Sequence, residues 1–419
     1  MNPFTTSAPL IAIACGGTGG HLFPGLAVAE ELKRSGCDVA LLVSPKDVDQ
    51  QAVKSALARP VPERDETCPA EASAGMAHRA SFQVFTLPAV GLQNRNYFSF
   101  AGSFIKSLFA ARKAFRQRRP QAVLAMGGFT SAPPVFVGKE MGARTFLHES
   151  NTIPGKANRY LARFVDGAFV GFPEAAARMK ARAVIHTGTP VRPQFQRLSA
   201  AQREAAASRL GFEAGRPIVL VMGGSQGASG LNAMVLSALP LLAPRNWQWL
   251  HLTGAADFEK VQAAYGALGL AATVKPFLAE MDLALGLAAA TISRAGASSL
   301  AEIAATGLPA LLVPFPAAAD NHQLFNAQAY VSAGAAKLLE QKNSSPEKVA
   351  AALVELVEDN SARTDLIAEL ARWHAPESAR QIAAAILNRS FAPSARPANG
   401  ATDFARPPLR SNKPSAARP

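Results

Sequence analysis

Two glycine-rich turns constrain the fold of this chain more than any other feature. Residues 16–21 (GGTGGH) and 223–227 (GGSQG) lie about 200 residues apart, and each follows an apolar strand-like run and begins a helix-like segment. Because glycine has no side chain, backbone N–H groups in such a turn can approach an anion closely, and the following helix N-terminus adds partial positive charge. The two turns therefore predict two nucleotide-type half-domains that face one cleft, and a ligand that carries phosphate.

Short apolar runs alternate with helix-like segments along most of the chain. Buried strands are predicted at 10–15, 39–43, 123–126, 145–148 and 168–170, and again at 217–222, 249–252, 290–293 and 310–313. Helices such as 26–35 and 103–118 separate them. Strands that alternate with helices favour parallel sheets covered on both faces. The predicted fold class is therefore α/β, with two Rossmann-like doubly wound parallel-sheet domains.

The length of 419 residues favours two domains over one. Glycine and two prolines at 186–193 interrupt any regular element and place the hinge there, which gives domains at 1–189 and 190–369. Residues 60–77 are polar and lack periodicity, so they predict an extended loop inserted into the first domain. Residues 390–419 contain six prolines and five Lys or Arg against one Asp, which predicts a basic, disordered tail.

The net charge indicates which kind of partner the protein binds, and the cysteine spacing indicates the redox state of its compartment. The formal net charge is +13 although only 17% of residues are charged, which predicts anionic partners. Nucleic acid is not expected, because the charge is weighted to the tail and no RNA- or DNA-binding motif occurs. Cys15, Cys37 and Cys68 lack metal-ligand or C-x-x-C spacing, which favours structural thiols in a reducing compartment. Neither a membrane-spanning run nor a secretory signal is predicted, so we expect a cytoplasmic protein.

Polar residues that follow the first-domain strands are candidates for chemistry. The glycine turns match neither G-x-G-x-x-G nor the P-loop pattern, but a third turn at 126–131 also follows a strand, and three such turns favour a ligand site. His21 ends the first turn, where its imidazole can act as a general base near neutral pH or simply hydrogen-bond the loop. His148 ends another predicted strand, with Glu149 and Asn151 directly after it, and the alternative for Glu149 is to neutralise a nearby arginine.

The second half offers a phosphate site and a sugar site. Residues 293–302 leave a strand and enter a helix, whose free N–H groups can receive a phosphate while Glu302 accepts from ribose hydroxyls. The alternative is a plain capping box, Ser299-x-x-Glu302. Further along, Gln323 and Asn326 lie on one side of a predicted helix, and neutral amides suit sugar hydroxyls.

No metal or cofactor site is predicted. Asp47-Val48-Asp49 matches a D-x-D pattern that can hold a divalent cation on a nucleotide diphosphate, but two acids in a polar loop are more often solvated. Helix ends and arginines can neutralise the diphosphate instead.

An aromatic segment beside a basic cluster is a candidate membrane contact. Residues 97–109 are rich in aromatic side chains, and five basic residues follow: Arg112, Lys113, Arg116, Arg118 and Arg119. Apolar anchors next to basic residues are attracted to an anionic membrane surface, so the region Phe98–Arg119 predicts contact with such a surface. The alternative is a core helix with a solvated basic end, in which Leu108, Phe109 and Phe115 pack inward.

Five motifs, in order, resemble those of the MurG family of peptidoglycan N-acetylglucosaminyltransferases. They are residues 16–27, 126–129, 148–151, 223–227 and 320–323, and the similarity extends from about residue 10 to residue 386. The resemblance implies a GT-B architecture whose segment 370–389 returns to the first domain. It implies transfer of N-acetylglucosamine from UDP-GlcNAc to the 4-hydroxyl of the muramoyl sugar of lipid I, with inversion and without a required metal or cofactor. It also implies a peripheral protein on the cytoplasmic face of the inner membrane, with cell-wall synthesis proteins as possible partners.

The same resemblance assigns roles to individual residues. Ser225, Ala297, Ser298 and Ser299 would hold the diphosphate, Arg192 and the backbone of Leu278 the nucleotide, Glu302 the ribose, and Gln323 with Asn326 the sugar. Thr18, Gly19, Gly20, His21 and Asn151 would face donor and acceptor from the other side. The expected base is His21, with Glu149 second. The sequence departs from the family pattern at 278–281 (LAEM), where an acidic pair often precedes the Met, and at Ser298, where some members have a larger apolar residue.

Two other functions remain as alternatives at this point. One is a UDP-sugar epimerase or glycolipid synthase of the same architecture. The other is a non-enzymatic basic protein that binds membranes.

Overall fold

The computed structural model describes residues 8–46, 49–50, 53, 82–89, 97–224 and 227–388. The predicted insertion at 60–77, the predicted tail, Cys68 and Ser225 lie outside these residues.

The first domain is built on a sheet of seven parallel strands in the order β3-β2-β1-β4-β5-β6-β7. The strands are β1 (Leu10–Ala14), β2 (Asp38–Val43), β3 (Phe82–Thr86), β4 (Ala122–Ala125), β5 (Arg144–Glu149), β6 (Gly167–Val170) and β7 (Val184–His186). The helices are α1 (Gly19–Arg34), α2 (Tyr97–Gln117), α3 (Ala132–Glu140), α4 (Lys156–Leu161) and α5 (Pro173–Ala176). The central strands are buried because helices cover both faces of the sheet.

The second domain repeats this plan with six parallel strands in the order β10-β9-β8-β11-β12-β13. The strands are β8 (Ile218–Met222), β9 (Gln248–Leu252), β10 (Ala272–Lys275), β11 (Ala290–Ser293), β12 (Ala310–Leu312) and β13 (Lys337–Leu338). The α-helices are α6 (Ala200–Leu210), α7 (Ser229–Leu242), α8 (Phe258–Ala267), α9 (Met281–Leu287), α10 (Ala297–Thr306), α11 (His322–Ser332), α12 (Pro346–Glu358) and α13 (Asn360–Trp373). The last helix of the described chain is α14 (Ser378–Leu387). Short 3-10 helices lie at Ala255–Asp257, Ala319–Asn321 and Gln341–Asn343.

The predicted α/β fold with two doubly wound sheets is confirmed. Every predicted strand is present within one or two residues of its expected bounds. The sequence analysis missed four strands, β3, β7, β10 and β13, all of which lie at sheet edges. Their side chains are partly exposed, so they lack the continuous apolar run that marks a buried parallel strand.

The strand order reverses between β1 and β4 in the first sheet, and between β8 and β11 in the second. In doubly wound sheets, ligands bind beyond the carboxyl ends of the strands at such a reversal. The turns at 15–18, 126–131 and 294–296 follow three of these strands directly, and the described residues 223–224 and 227–228 follow β8. The topology therefore brings the glycine turns predicted from the sequence to the two ligand-binding edges.

The last helix packs on the first domain. Ile382, Ala383 and Ile386 of α14 are buried in one cluster with side chains of α1 and β1, and the Arg144 guanidinium donates to the carbonyl oxygens of Ile386 and Asn388. The preceding helix α13 still packs on the second domain, where the Trp373 ring stacks on Tyr330 at 4.2 Å. The chain thus crosses between the domains at 374–377, a few residues after the predicted start of the returning segment.

Cys15 and Cys37 are buried free thiols, and burial raises the pKa of both. Among the helices within the described ranges, we find none with the length and apolar character needed to span a bilayer.

Candidate active site in the interdomain cleft

The first glycine turn packs directly against the backbone at the end of β2. A Cβ on Gly16 would lie 2.2 Å from the Ser44 backbone nitrogen, and Gly17 has φ +114°, so only glycine fits both positions without strain. The Thr130 hydroxyl donates to the Gly16 carbonyl oxygen at 2.7 Å. The Gly17 N–H donates to the Asp49 carboxylate at 2.6 Å. These contacts fix the direction in which α1 begins.

His21 lies in the first turn of α1, against the third glycine turn. Its Nδ1 is 3.1 Å from the Thr18 hydroxyl oxygen, and a Cβ on Gly127 or Gly128 would lie 2.9 or 3.1 Å from a ring atom. Burial lowers the pKa of His21, against the opposing effect of the Glu149 and Asp49 carboxylates. The imidazole is therefore neutral at pH 7, the form that can accept a proton. The loop hydrogen bond and the base role, which were alternatives from sequence, are compatible here.

Glu149 is buried at the end of β5 with both carboxylate oxygens engaged. Oε1 accepts from the backbone N–H and the side-chain amide of Asn151, at 2.9 and 3.0 Å. Oε2 accepts from the Gly155 N–H and from the Asn158 side-chain amide, both at 2.9 Å. These partners are amides of the loop 151–155 and the side-chain amide of Asn158 in α4, not the arginine considered from sequence. The arrangement orients that loop, and the prediction that Glu149 is a second base stays a prediction.

His148, the residue before Glu149, is directed at the hinge. Its Nε2 is 3.1 Å from the Gly188 carbonyl oxygen, which also accepts from the Ser378 hydroxyl at 3.0 Å. Burial lowers the pKa of His148 to about 4. The Gly188 carbonyl thus connects His148 at the end of β5 with the first residue of α14.

A buried amide network joins the domains across the cleft. Asn326, on α11, is fully buried. Its Oδ1 accepts from the Thr152 N–H at 2.9 Å and from the Thr152 hydroxyl at 3.0 Å. Its Nδ2 donates to Asn151 Oδ1 at 3.0 Å and to the Ala295 carbonyl oxygen at 3.2 Å. In this structure Asn326 holds the two halves together, and its predicted contact with a sugar is untested.

The loop before α11 adds a second bridge. Asp320 and Asn321 have left-handed backbone conformations, with φ 50° and 53°, which non-glycine residues rarely adopt and which cluster at functional sites. The Asp320 carboxylate pairs with Arg159 of the first domain at 2.9 Å. Gln323, one turn before Asn326, accepts at Oε1 from the Phe315 N–H at 2.9 Å.

The N-terminus of α10 is the candidate diphosphate site. Its N-cap is Gly296, so the first turn comprises Ala297, Ser298 and Ser299, whose N–H groups have no capping side chain. The capping-box alternative is wrong, because Ser299 lies inside the helix and not at its N-cap. A helix of ten residues with an open N-terminus attracts a phosphate.

Glu302 lies on α10 itself, and Arg192 is close enough for its charge to act on the Glu302 carboxylate. Burial raises the pKa of Glu302 to about 7, with the Arg192 charge opposing and the Asp282 charge adding to the effect. The Arg192 guanidinium packs over the Phe23 ring at 4.6 Å and over Phe195 at 5.0 Å. The nucleotide-binding residues predicted from the resemblance thus share one wall.

Leu278, the other predicted nucleotide contact, is buried three residues after β10. It packs in the core of the second domain, so its backbone is the part available for a nucleotide.

The D-x-D motif is only partly described. Asp49 is buried and hydrogen-bonded rather than solvated, whereas Asp47 lies outside the described residues. Within the described part of the chain, no group of three or more His, Cys, Asp or Glu side chains is placed to hold a metal ion.

Helix α2 has an exposed apolar stripe. The exposed fractions are 93% for Phe98, 53% for Ile105 and 69% for Phe109, and the i, i+7, i+11 spacing places them on one face. Leu108 and Phe115 pack on the core, as the core-helix alternative expected. Phe109 does not, and that part of the alternative is wrong.

The basic residues of this region divide into two sets. Arg112 pairs with Glu140, and Arg118 pairs with Asp38. Lys106, Lys113, Arg116 and Arg119 are exposed. We call Phe98, Ile105 and Phe109, together with these four residues, the α2 face.

Both halves of the chain match models of one enzyme family. Residues 11–170 match the glycosyltransferase family 28 N-terminal domain, and residues 218–383 match the glycosyltransferase family 28 C-terminal domain. The chain belongs to glycosyltransferase family 28.

Relatives and a solved structure agree with this family. A UDP-N-acetylglucosamine--N-acetylmuramyl-(pentapeptide) pyrophosphoryl-undecaprenol N-acetylglucosamine transferase of Anaeromyxobacter sp. is 35% identical over 378 residues, 88% of this chain and 91% of that protein. A protein of the same name from Lactiplantibacillus plantarum is 32% identical over 376 residues, which is 89% of this chain and 97% of that protein. The crystal structure of Acinetobacter baumannii MurG superposes with a TM-score of 0.66 at 25% identity, over 90% of this chain and 99% of that one. The GT-B fold and the resemblance to the MurG family are confirmed.

The structure also adds residues that the sequence analysis did not single out. Asp49, Asn158, Thr130 and Thr152 fix the turns and the loop that form the site. Asp49 carried a sequence signal as part of the D-x-D pattern, and Thr130 as part of the third glycine turn at 126–131. Thr152 and Asn158 are polar residues of the segment after β5, and only the tertiary contacts distinguish them from ordinary polar residues.

Proposed function

We propose that this family 28 protein transfers N-acetylglucosamine from UDP-GlcNAc to the 4-hydroxyl of the muramoyl sugar of lipid I, which gives lipid II. The observation that carries the proposal is that the carboxyl-end edges of the two sheets face each other and present different groups. The first-domain edge has a neutral imidazole, and the second-domain edge has an open helix N-terminus, while the Asn151–Asn326 pair holds the edges together. The acceptor and donor roles named for the relatives fit these two edges.

The chemistry follows from these placements. The acceptor hydroxyl oxygen attacks the anomeric carbon from the side opposite UDP, and His21 takes the hydroxyl proton. The bond between the anomeric carbon and the diphosphate oxygen breaks, so the configuration inverts. The N–H groups of Ala297, Ser298 and Ser299 stabilise the negative charge that develops on the departing UDP. Every group in these steps belongs to the protein or the two substrates.

Donor recognition uses the wall formed by Arg192 and Glu302. Arg192 supplies positive charge and Glu302 accepts from the ribose hydroxyls when it is ionised. The backbone of Leu278 contacts the nucleobase of UDP, and Gln323 binds the N-acetylglucosamine. Ser225, in the second glycine turn, completes the diphosphate contacts in this proposal. Thr18, Gly19, Gly20 and Asn151 bound the acceptor side.

We further propose that the α2 face binds the membrane that carries the acceptor. Three exposed apolar side chains and three exposed basic side chains lie along α2, and the fourth exposed basic residue, Arg119, lies two residues after its end. Such a surface inserts apolar groups at the lipid interface while its cations contact anionic headgroups. The proposed location is the inner-membrane surface, with the protein bound peripherally.

The test is incubation of the protein with UDP-GlcNAc and a lipid I analogue, followed by mass analysis of the product. The disaccharide product supports the proposal. Conversion of UDP-GlcNAc without an acceptor would instead support an epimerase. Absence of transfer, under conditions in which an established transferase is active, overturns the proposal.

A further inference from the structure

A buried carboxylate lies behind the first glycine turn, outside the residues assigned above. Asp49 is fully buried. Its Oδ2 accepts from the Gly17 N–H at 2.6 Å and from the Ser44 hydroxyl at 2.5 Å. The Lys46 ammonium donates to the carbonyl oxygen of the same Gly17 at 2.9 Å. Both polar groups of the Gly17 backbone are thus held by side chains of the segment that follows β2.

The second oxygen of this carboxylate has a different environment. Asp49 Oδ1 is buried and accepts no hydrogen bond from any residue within the described ranges. Burial of a carboxylate whose charge is only partly compensated disfavours folding. An uncharged side chain would hold Gly17 without that cost, so the charge itself is the feature that needs an explanation.

The imidazole of His21 is the titratable group in the site that this charge affects. Burial is the largest influence on the pKa of His21 and disfavours the protonated ring; the Glu149 carboxylate and then the Asp49 carboxylate favour it, and the neighbouring His322 disfavours it. Thr18, the N-cap of α1, contacts the ring through its hydroxyl. Asp49 acts on His21 from behind the turn, and Glu149 acts from β5. The Asp49 charge also adds to the effect of burial in raising the pKa of the Cys15 thiol, which therefore stays protonated.

We propose that Asp49 is a positioning residue for His21: it fixes the Gly16-Gly17 turn that leads into α1, and its charge stabilises the imidazolium formed when His21 takes a proton. This inference rests on the proposed function for the proton transfer. The contact of Asp49 with the turn and the effect of its charge on the His21 ring do not depend on which sugar acceptor is used.

The test compares Asp49→Asn and Asp49→Ala with the wild-type protein. The Asn variant keeps the shape and an oxygen acceptor but removes the charge. Without that charge the imidazolium is less stable, so the acid limb of the kcat–pH profile moves to lower pH and kcat falls about 10-fold because the base is weaker. Asp49→Ala also frees the turn, so kcat falls further. The affinity for UDP, which binds the other domain in the proposed function, stays unchanged.

Two further variants separate this effect from a general loss of structure. Asp38→Asn is the matched control, because Asp38 is also a buried carboxylate but is the first residue of β2, at the end of the strand away from Asp49, and is paired with Arg118. It leaves the acid limb in place. Ser44→Ala removes a donor that partly neutralises Asp49, so it shifts the acid limb to higher pH, opposite to Asp49→Asn. Thermal unfolding of each variant verifies that it is folded.

A spectroscopic measurement distinguishes failure of this inference from failure of the proposed function. The ring carbons of His21 are followed by NMR in histidine-labelled protein and assigned with His21→Gln. A lower pKa in Asp49→Asn supports the inference even if the wild type transfers no sugar. An unchanged His21 titration together with wild-type kcat in Asp49→Asn overturns it. An acid limb that Asp38→Asn moves as far as Asp49→Asn does also overturns it.

Discussion

Asn326 of the second domain donates a hydrogen bond from Nδ2 to Oδ1 of Asn151 in the first domain, at 3.0 Å. Asn151 donates in turn to Glu149, at the end of β5. The helix that carries the predicted sugar contacts is therefore connected through two amides to the strand beside His21. Because Asn326 and Glu149, at the two ends of this path, are buried, loss of one member leaves buried polar groups without partners.

We expect Asn326→Ala to destabilise the unliganded protein by about 2–3 kcal/mol, because Thr152 and the Ala295 carbonyl lose buried partners. Urea unfolding measures this change. Arg159→Ala is the control at the same interface, since its ion pair with Asp320 is exposed (side-chain exposure 44% and 39%); its cost should be below about 1 kcal/mol. Equal costs for the two variants would contradict the importance of the buried network.

We expect His21→Ala to lower kcat by about 10²–10⁴-fold while UDP binding stays unchanged, because the imidazole takes the acceptor proton and the nucleotide binds the other domain. Steady-state kinetics and calorimetry measure the two effects. His186→Ala is the control, since His186 is an exposed imidazole on the edge strand β7. Near-normal turnover of His21→Ala would remove His21 from the base role.

We expect the affinity for UDP-GlcNAc to fall about 10-fold between pH 8 and pH 6. The pKa of Glu302 is raised to about 7 by burial, so its carboxylate predominates above this pH and is protonated below it. Only the carboxylate accepts hydrogen bonds from both ribose hydroxyls. Calorimetry at three pH values measures the change, and UDP-GlcNAc is used because its diphosphate does not titrate in this range.

Glu302→Gln is the control for this pH dependence. The variant should bind weakly at all three pH values, with the dependence greatly reduced. A pH dependence that is the same in Glu302→Gln and the wild type would show that another group is responsible.

We expect Lys106→Ala/Lys113→Ala to weaken binding to vesicles with 30% anionic lipid by about 2 kcal/mol, or about 30-fold, because each cation near the surface contributes about 1 kcal/mol. Phe109→Ser should also weaken binding, since it removes an apolar anchor. Sedimentation with vesicles measures both. Leu241→Ser is the control, because Leu241 is 48% exposed but lies on α7 of the second domain. Unchanged binding of both α2 variants would exclude this face as the membrane contact.

Periodicity predicted the central strands well because a buried parallel strand needs a short continuous apolar run, which is visible in the chain itself. The edge strand β7 was missed because half-exposed side chains give no such run. The start of α1 was placed too late, at residue 26. Three of the first six residues of the helix are glycine or proline, a composition that usually excludes helix. Packing of this turn against β2 and the third glycine turn outweighs that intrinsic preference.

The sequence by itself determined the two α/β halves, the glycine turns at their strand ends and the resemblance that named candidate residues. Those properties depend on local composition and spacing, which a single chain displays directly. The tertiary structure decided how the residues are used: Glu149 orients a loop, Asn326 joins the domains, Gly296 and not Ser299 caps α10, and Asp49 supports the turn before His21. Each of these depends on contacts between segments far apart in the chain, and hydrogen bonding and burial at such contacts are set only when the sheets have packed.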